Sequence, residues 1–341
     1  MLSFECDYNN GAHPAILKRL LETNNSTQIG YGEDEFTTHA KHLIAEFCGK
    51  PDAEVYLLTG GTQTNVVVLS AILKPFEGVL TARTGHIHTH EAGALEYTGT
   101  KAIELPSHNG KIKPEDLSEY LSAFYADVNR EHMVFPGAVY ISHPTEYGTL
   151  YSRSELVAIS SICRSYGIRL FLDGARLGYG LMSYNTDVSI QDITDLCDVF
   201  YIGGTKVGAL CGEAVVFPNG NLPQHFPNHV KKHGAMLAKG RLIGVQFEAL
   251  FSDGLYCMIA LHAIEMAERL KAVLHEKGYR FFLETDTNQQ FVILSNEEMN
   301  RLSHYVRFSY WERYDSSHTV VRFATSWSTT IDDIESLRRL L

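Results

Sequence analysis

The chain has 341 residues, of which 45% are hydrophobic and 20% charged, a composition typical of soluble globular proteins. Its formal net charge of −11 argues against a nucleic-acid partner, because binding to a phosphate backbone needs a basic surface. Six cysteines are scattered without a Cys-x-x-Cys pair, so neither a zinc ribbon nor a disulfide framework is predicted. No signal-peptide pattern and no apolar run of about 18 residues is found, and we expect a cytoplasmic protein without a membrane partner.

The first residues predict an extended arm, which ends where Pro14 opens a helix. A polar loop containing Tyr31 follows, and residues 36–49 have the apolar spacing of a helix with one buried face. Residues 54–58 predict a strand, after which Gly61 and Thr62 lead into another helix. Exposed N–H groups at the start of a helix attract anions, so this turn is a candidate phosphate site, although taken alone it is more often an ordinary strand-to-helix turn.

Three histidines follow the next predicted strand, which covers residues 79–81. On a strand, His86, His88 and His90 would point to one side, where three rings bind zinc. The residues after them favour a helix, which would turn the rings apart. We therefore assign no metal and expect the ring of His86 to stack on a planar cofactor, with a zinc enzyme as the alternative.

Two buried strands each end in small residues around one charged side chain. Residues 168–172 lead to Asp173, and residues 199–203 lead to Lys206. In open α/β folds ligands bind at the carboxyl ends of the strands. A lysine forms a Schiff base with the aldehyde of pyridoxal phosphate, while an acid keeps the pyridine nitrogen protonated. Each residue alone has a simpler interpretation, a solvated loop lysine and an Asp-Gly turn, but together they predict this cofactor.

Predicted strands and helices alternate between residues 54 and 217, which indicates a mostly parallel sheet covered on both faces. A long helical pattern from Gln246 to Lys277 then leads to further strands and a closing helix. Arg322 lies within the last strand, where a buried arginine needs an internal carboxylate or that of a ligand. We predict an arm at residues 1–15, a large domain at 16–245 and a small domain at 246–341.

The segments Tyr31-Gly-Glu-Asp34, Asp173-Gly-Ala-Arg176 and Gly203-Gly-Thr-Lys206, in this order and spacing, resemble the low-specificity threonine aldolases of the beta-eliminating lyase family. These are pyridoxal-phosphate enzymes of fold type I. The resemblance implies an α/β large domain with a mostly parallel seven-stranded sheet and a smaller α+β carboxyl-terminal domain. It also implies retro-aldol cleavage of L-threonine, L-allo-threonine and related β-hydroxy amino acids to glycine and an aldehyde.

The resemblance implies roles for individual residues. Lys206 would form the Schiff base, Asp173 would meet the pyridine nitrogen, and Arg322 would bind the substrate carboxylate. The residues implied to hold the cofactor are Gly61, Thr62, His86, Asp173, Arg176, Thr205, Lys206, Lys232 and Lys239. Those implied to contact the substrate are Cys6, Tyr31, His132, Arg176 and Arg322.

Tyr31, Lys232 and Lys239 would reach the site from a neighbouring subunit, which implies a homo-oligomer, a dimer of dimers. From the residues alone, the basic cluster near Lys232 is either a solvated helix face or a set of cations for an anionic cofactor.

Some positions depart from the family pattern and leave the proton transfer open. Cys6 stands where many relatives have serine, and Glu146 where some have histidine. The general base is His86, His132 or a water held by Glu146, since histidine titrates near neutrality. Another pyridoxal-phosphate lyase or racemase, such as a phenylserine aldolase or a β-eliminating lyase, is an alternative because it uses the same ring and acid.

Overall fold

A computed structural model describes residues 1–341. The strands are β1 Leu2–Ser3, β2 Glu54–Leu58, β3 Glu77–Ala82, β4 Lys101–Leu105, β5 Phe135–Ser142, β6 Arg169–Asp173, β7 Val199–Gly203, β8 Glu213–Phe217, β9 Arg280–Leu283, β10 Gln289–Ser295, β11 Val306–Arg307, β12 Ser309–Arg313 and β13 His318–Ala324. The helices are α1 Pro14–Thr23, α2 Glu35–Phe47, α3 Gly61–Ile72, α4 His86–Thr89, α5 Pro114–Ala126, α6 Arg153–Tyr166, α7 Leu177–Leu181, α8 Ile190–Leu196, α9 Phe226–Lys232, α10 Arg241–Phe251, α11 Leu255–Glu276, α12 Asn296–Ser303 and α13 Ile331–Leu340.

The large sheet has seven strands in the order β2-β8-β7-β6-β5-β3-β4. All pairings are parallel except those of β8, which runs antiparallel to both neighbours. The predicted mostly parallel seven-stranded sheet is therefore confirmed. The carboxyl ends of β5 and β6 lie side by side, since Ser142 is in register with Asp173.

Helices cover both faces of this sheet, which explains the continuous apolar runs in its strands. Successive residues of one strand enter different cores, because side chains alternate across a strand. Leu170 and Leu172 belong to the core on one face, whereas Phe171 belongs to the core on the other. Every residue of β7 is buried, so this strand shows no polar alternation.

A second sheet, antiparallel and four-stranded, has the order β12-β13-β10-β9. Its core includes Leu270, Val292, Val321 and Leu337. Helix α11 joins the two domains, since its amino-terminal half lies in the core of the large sheet and its other half in the core of the small one.

The prediction of a single long helix from Gln246 to Lys277 is wrong. Helices α10 and α11 are separated at residues 252–254, where Asp253 (φ 55°) and Gly254 (φ 70°) have left-handed backbone. Glycine adopts this conformation readily and aspartate tolerates it. Phe247 and Leu250 of α10 lie in the core of the large domain, as does the first half of α11. The predicted domain boundary at residues 245–246 stays a prediction.

By length and composition alone, the segment Arg241–Glu276 is apolar enough to span a bilayer, since a window of 18 residues within it has a mean hydropathy of 1.3. This differs from the sequence-based expectation of no such segment. The kink at Asp253 interrupts it, and many of its apolar residues lie in the two cores. We therefore describe it as two helices of the protein interior.

The amino-terminal arm crosses from the small domain to the large one. β1 pairs in parallel with β11, and Phe4 is fully buried in the core of the small domain. The backbone carbonyl of Glu5 accepts a hydrogen bond from the Ser309 hydroxyl at 2.6 Å. Asp7 then reaches Arg176 of the large domain.

Candidate active site

A cavity lies at the carboxyl ends of β5, β6 and β7, at the edge where the sequence places its charged side chains. Asp173 ends β6, and Lys206 follows β7 after a short turn. The residues that line the cavity are Gly61, His86, Ser142, Pro144, Thr145, Glu146, Asp173, Ala175, Arg176, Tyr201 and Lys206. The two groups predicted to share one crevice are therefore brought together.

The Asp173 carboxylate is buried and held by several donors. Its Oδ1 accepts a hydrogen bond from the backbone N–H of Ala175 at 2.9 Å. Its Oδ2 accepts hydrogen bonds from the Tyr140 hydroxyl and from the Asn65 amide at 3.3 Å. The carboxylate is thus fixed in one orientation toward the cavity.

Lys206 lies deep in the same cavity, with its Nζ 6.0 Å from the centroid of the Tyr8 ring. Burial lowers the pKa of Lys206, and the positive charge of Arg176 lowers it further, against the opposing effect of Asp7. A lowered pKa makes the neutral, nucleophilic amine more accessible. Glu213 is also buried here, and burial raises the pKa of its carboxyl to about 7.

The glycines before Lys206 allow the two neighbouring strands to end close together. A Cβ at Gly203 would lie 2.3 Å from the carbonyl oxygen of Ala175, a distance that no side chain tolerates. Gly203 donates its N–H to the carbonyl of Gly174 at 2.9 Å. The small residues of both turns are thus required by the approach of β6 and β7.

The start of α3 forms a cradle at another wall of the cavity. Helix α3 begins at Gly61 after Gly60, and no side chain caps its first N–H groups. Free amides and the positive end of the helix dipole favour an anion there. Thr62 is exposed in the first turn. Thr205 is partly committed elsewhere, because its hydroxyl accepts the N–H of Gly212 at 3.0 Å.

His86 begins the short helix α4 and is anchored on both sides. Its Nδ1 lies 2.8 Å from Glu91 Oε1, and its backbone N–H donates to Glu146 Oε1 at 2.9 Å. Burial lowers the pKa of His86, but the hydrogen bond with Glu91 and the negative charge of Asp173 outweigh this effect and raise it above 6.5. The imidazole is therefore held in a fixed position, and its pKa is raised.

The three histidines of this segment do not form a metal site. His86 pairs with Glu91, whereas the Nε2 of His88 lies 3.0 Å from Glu104. The structure contains no group of three or more side chains placed to hold a metal ion. The zinc alternative is not favoured, because the helix turns the rings toward different partners.

Arg176 makes a bidentate ion pair with Asp7. Its Nε and Nη2 lie 2.7 and 2.9 Å from the two carboxylate oxygens, and the Asn288 amide donates to the same carboxylate at 2.9 Å. Burial raises the pKa of Asp7, but the charge and hydrogen bonds of Arg176 outweigh it and lower the pKa below 3.8. This pair links the arm to the large domain and holds Arg176 at the cavity wall.

Arg322 is buried in β13 without a carboxylate partner. Its guanidinium donates to Gln289 Oε1 at 3.0 Å, to the Glu5 carbonyl at 3.1 Å and to the Ser309 hydroxyl at 3.0 Å. Its Nε is buried and makes no hydrogen bond. The sequence analysis expected either an internal carboxylate or a ligand carboxylate as the partner of Arg322. The structure provides no internal one.

A second pocket adjoins the cavity. Its lining residues are Thr84, Thr89, His90, Glu146, Tyr147, Ser309, Tyr310, Trp311, Glu312 and Arg322. Glu146 lines both this pocket and the first cavity, so the two spaces meet at this carboxylate.

Two residues predicted to contact the substrate, Cys6 and His132, line neither the cavity nor the adjoining pocket. Cys6 is partly buried in the arm, and its thiol donates to Asn9 Oδ1 at 2.9 Å. His132 is exposed in a short turn before Phe135, the first residue of β5. In its own chain the prediction for His132 is wrong, because the cavity lies about 25 Å away at the other end of this eight-residue strand.

The residues expected from a neighbouring subunit are also outside this cavity. Tyr31 is exposed with a positive φ of 63°, and Lys231 Nζ lies 4.8 Å from its ring centroid. Lys232 and Lys239, which are near Lys231 in sequence, are also exposed. Their roles at a shared site stay a prediction.

Comparison with known proteins places the chain among characterised sequences. The sequence profile named beta-eliminating lyase matches residues 7–297. The chain belongs to the beta-eliminating lyase family. A low specificity L-threonine aldolase from Pseudomonas aeruginosa is 28% identical over 340 residues, which cover 98% of this chain and 96% of that protein.

Solved structures agree with the assignment to the beta-eliminating lyase family. A threonine aldolase from Leishmania major is 40% identical with a TM-score of 0.94, and the match covers 100% of this chain and 99% of that one. The aspartate aminotransferase of Thermus thermophilus, at 12% identity and a TM-score of 0.70 over 100% of this chain and 92% of that one, shares the fold. The predicted fold type I architecture is thus confirmed.

Several polar residues of this lyase site were missed by the sequence analysis. Tyr140 and Asn65 hold Asp173, and Asp7 holds Arg176. Glu91 is fully buried and holds His86. Tyr140 lies in an apolar strand and Asp7 in an arm without a regular pattern, so no local sequence pattern marks either as a site residue. Glu91 could have been found, because a carboxylate five residues after a candidate histidine is a possible partner for its ring.

Proposed function

We propose that this protein cleaves L-threonine, L-allo-threonine and related β-hydroxy amino acids to glycine and an aldehyde, using pyridoxal 5'-phosphate. One observation carries the proposal: Lys206 and the anchored Asp173 face the same cavity, which the uncapped start of α3 also lines. The curated relative and the Leishmania structure, both named as threonine aldolases, support it.

The residues present fit this cofactor. The amine of Lys206 would meet the aldehyde, the Asp173 carboxylate the ring nitrogen, and the N–H groups at Gly61 the phosphate, with Thr62 and Thr205 as further candidates. At Gly61 an added Cβ would lie 3.2 Å from the Tyr201 hydroxyl, so a larger residue would crowd the cradle. When bound, the cofactor provides an electron sink for the pair released as the Cα–Cβ bond breaks.

Arg322 is the proposed binding group for the substrate carboxylate. Its charge has no carboxylate partner within the chain, and a buried guanidinium is stabilised by a bidentate anion. The Glu5 carbonyl and the Ser309 hydroxyl both accept hydrogen bonds from Nη2, so they fix the plane of the group. By holding the carboxylate, Arg322 would orient the bond that breaks.

The remaining residues position charge around the reacting groups. Arg176, held by Asp7, presents a cation at the cavity wall beside Lys206. His86, held by Glu91 and Glu146, also lines the cavity, where we propose that it covers the ring of the cofactor. Each is fixed by a buried carboxylate, which is the preorganisation that a charged transition state requires.

We also propose a cytoplasmic homo-oligomer, a dimer of dimers whose sites are shared. The exposed Tyr31, Lys232 and Lys239 form a basic and aromatic surface outside the cavity, and an anionic cofactor in a partner subunit is a suitable ligand for it. All six cysteines are free, which suits a reducing compartment.

An aldehyde-release assay tests the proposed reaction. Purified protein with added pyridoxal phosphate would be offered threonine, allo-threonine, phenylserine and serine in both configurations, and glycine and aldehyde would be measured. Equimolar glycine and acetaldehyde from L-threonine or L-allo-threonine are expected. Pyruvate or ammonia release, or inversion at Cα without cleavage, would instead indicate a β-eliminating enzyme or a racemase.

A further inference from the structure

Glu146 occupies the junction between the two spaces that a substrate would bridge. It follows the end of β5 and is the one residue that lines both the Lys206 cavity and the Arg322 pocket. An amino acid with its nitrogen directed at Lys206 and its carboxylate at Arg322 therefore passes this side chain. In this position the substrate would direct the substituent on its Cβ toward Glu146.

The two oxygens of Glu146 differ. Oε1 accepts the Ser142 hydroxyl at 2.8 Å and the backbone N–H of His86 at 2.9 Å. Oε2 accepts no hydrogen bond from the protein and is not among its buried unpartnered atoms. One oxygen is thus anchored, while the other is accessible and free to accept a proton.

The neighbouring histidines are less suited to accept this proton. His86 has Nδ1 committed to Glu91 and its backbone N–H to Glu146. His143 is fully buried, and its Nδ1 accepts the N–H of Tyr151 at 3.3 Å. Of the three candidates that the sequence left open, His132 lies at the opposite edge of the sheet.

We infer that Glu146 is a catalytic residue that itself takes the proton of the substrate β-hydroxyl. This inference rests on the proposed function. As the proton passes to Oε2, the O–H electron pair forms the aldehyde C=O bond, the Cα–Cβ bond breaks, and its electron pair is left on Cα, where the cofactor, when bound, would stabilise it. Water then provides the proton that completes glycine and receives the one held by Glu146.

The environment of Glu146 suits a proton acceptor. Burial raises the pKa of its carboxyl above 4.5, and the negative charge of Asp173 adds to this, against the hydrogen bond from Ser142 and the positive charge of His86. A higher pKa brings the carboxylate closer to the basicity that proton transfer near neutral pH requires.

Two reactions of the cofactor-loaded enzyme test this role. Threonine cleavage needs the β-hydroxyl proton to move, whereas exchange of the glycine α-proton in deuterated water does not. Glu146→Gln should lower kcat for cleavage about 100- to 10,000-fold. Glycine exchange, glycine affinity and the visible absorbance of the bound cofactor should stay within about 3-fold of the wild type, since general-base catalysis is all that is removed.

Two further variants complete the experiment. Glu146→Asp keeps a carboxylate and should cleave at least about 10-fold faster than Glu146→Gln. Glu104→Gln removes the partly exposed carboxylate paired with His88 and serves as the matched control, with unchanged kinetics expected.

The inference is overturned if Glu146→Gln cleaves threonine within about 3-fold of the wild type, or if cleavage and glycine exchange fall together. It is also overturned if the Asp and Gln variants cleave at equal rates. Failure of the wild type to release glycine from any β-hydroxy amino acid would instead refute the proposed function.

Discussion

The two edges of the large sheet keep their charged side chains in opposite conditions. At the carboxyl edge, the side chains of Arg176 and Asp7 are 13% and 0% exposed and lie 2.7 Å apart. At the amino edge, Arg130 and Glu131 are 41% and 80% exposed, and their closest charged atoms are 3.7 Å apart. The same residue types are thus buried at one edge and solvated at the other.

This difference shows that charges whose burial lowers stability are concentrated at the edge that carries the site. Burying a charge is unfavourable unless it is paired and hydrogen-bonded. At the carboxyl edge Arg176 has an ion-pair partner, and Asp173 and Glu146 have hydrogen-bond donors, while Lys206 and Arg322 have no ion-pair partner within the chain. The unpaired charge of Arg322 needs an anion from outside, for which we propose the substrate carboxylate, while Lys206 is the proposed Schiff-base amine.

The largest effect should come from Lys206→Ala at the carboxyl edge. Loss of the amine should abolish threonine cleavage and the visible absorbance of the covalently bound cofactor, because no other amine lines the cavity. Absorbance spectra and an aldehyde assay would measure both. Lys101→Ala, an exposed lysine at the amino edge, is the control, and equal behaviour of the two variants would reject the contrast.

Arg322→Leu should weaken substrate binding more than it slows chemistry. The lost charge-assisted pair is expected to raise KM for threonine about 10- to 100-fold. Steady-state kinetics would separate KM from kcat. An exposed arginine of the same domain, changed in Arg307→Leu, should leave both constants unaltered; an unchanged KM in the Arg322 variant would remove this residue from the site.

Asp7→Asn should lower the folding stability and make that stability less dependent on pH in the acidic range. The variant leaves Arg176 buried without its counter-charge, at a cost of about 3–5 kcal/mol. Because the pKa of Asp7 is lowered on folding, its contribution is present above the unfolded pKa of about 3.8 and is lost as the pH falls through the folded value. Melting temperatures should therefore fall less steeply in acid for the variant than for the wild type.

Glu131→Gln tests the exposed pair of the amino edge in the same way. Surface ion pairs contribute about 0–1 kcal/mol, so its melting curve should match that of the wild type at each pH. A loss as large as that of Asp7→Asn would contradict the comparison.

The smallest effect is expected from His132→Ala. Exposed substitutions usually change stability by less than about 0.5 kcal/mol, and kcat/KM should stay within about 2-fold. The aldehyde assay and a melting curve would check both. A fall in kcat/KM of the size seen for Arg322→Leu would show that His132 reaches a site in a neighbouring subunit, and would break the distinction between the two edges.

The sequence predicted most of the large domain because its periodicity is strong. The strand ends at Asp173 and Lys206 combine an apolar run with small residues and one charge, a pattern that places both groups at one edge. His132 was misplaced because it precedes β5, and closeness to a strand in sequence does not reveal at which end the site lies. Asp7 and Asn288 meet only through tertiary packing, so no local pattern shows them.

The arm also sets an order on folding. Glu5 and Ser309, whose hydrogen bond helps to fix Arg322, are separated by 304 residues. Closing so large a loop is entropically unfavourable and slow compared with forming local contacts. During synthesis the first residues must therefore wait until almost the whole chain has left the ribosome. The nascent protein therefore acquires the proposed ability to bind the substrate carboxylate among its last properties.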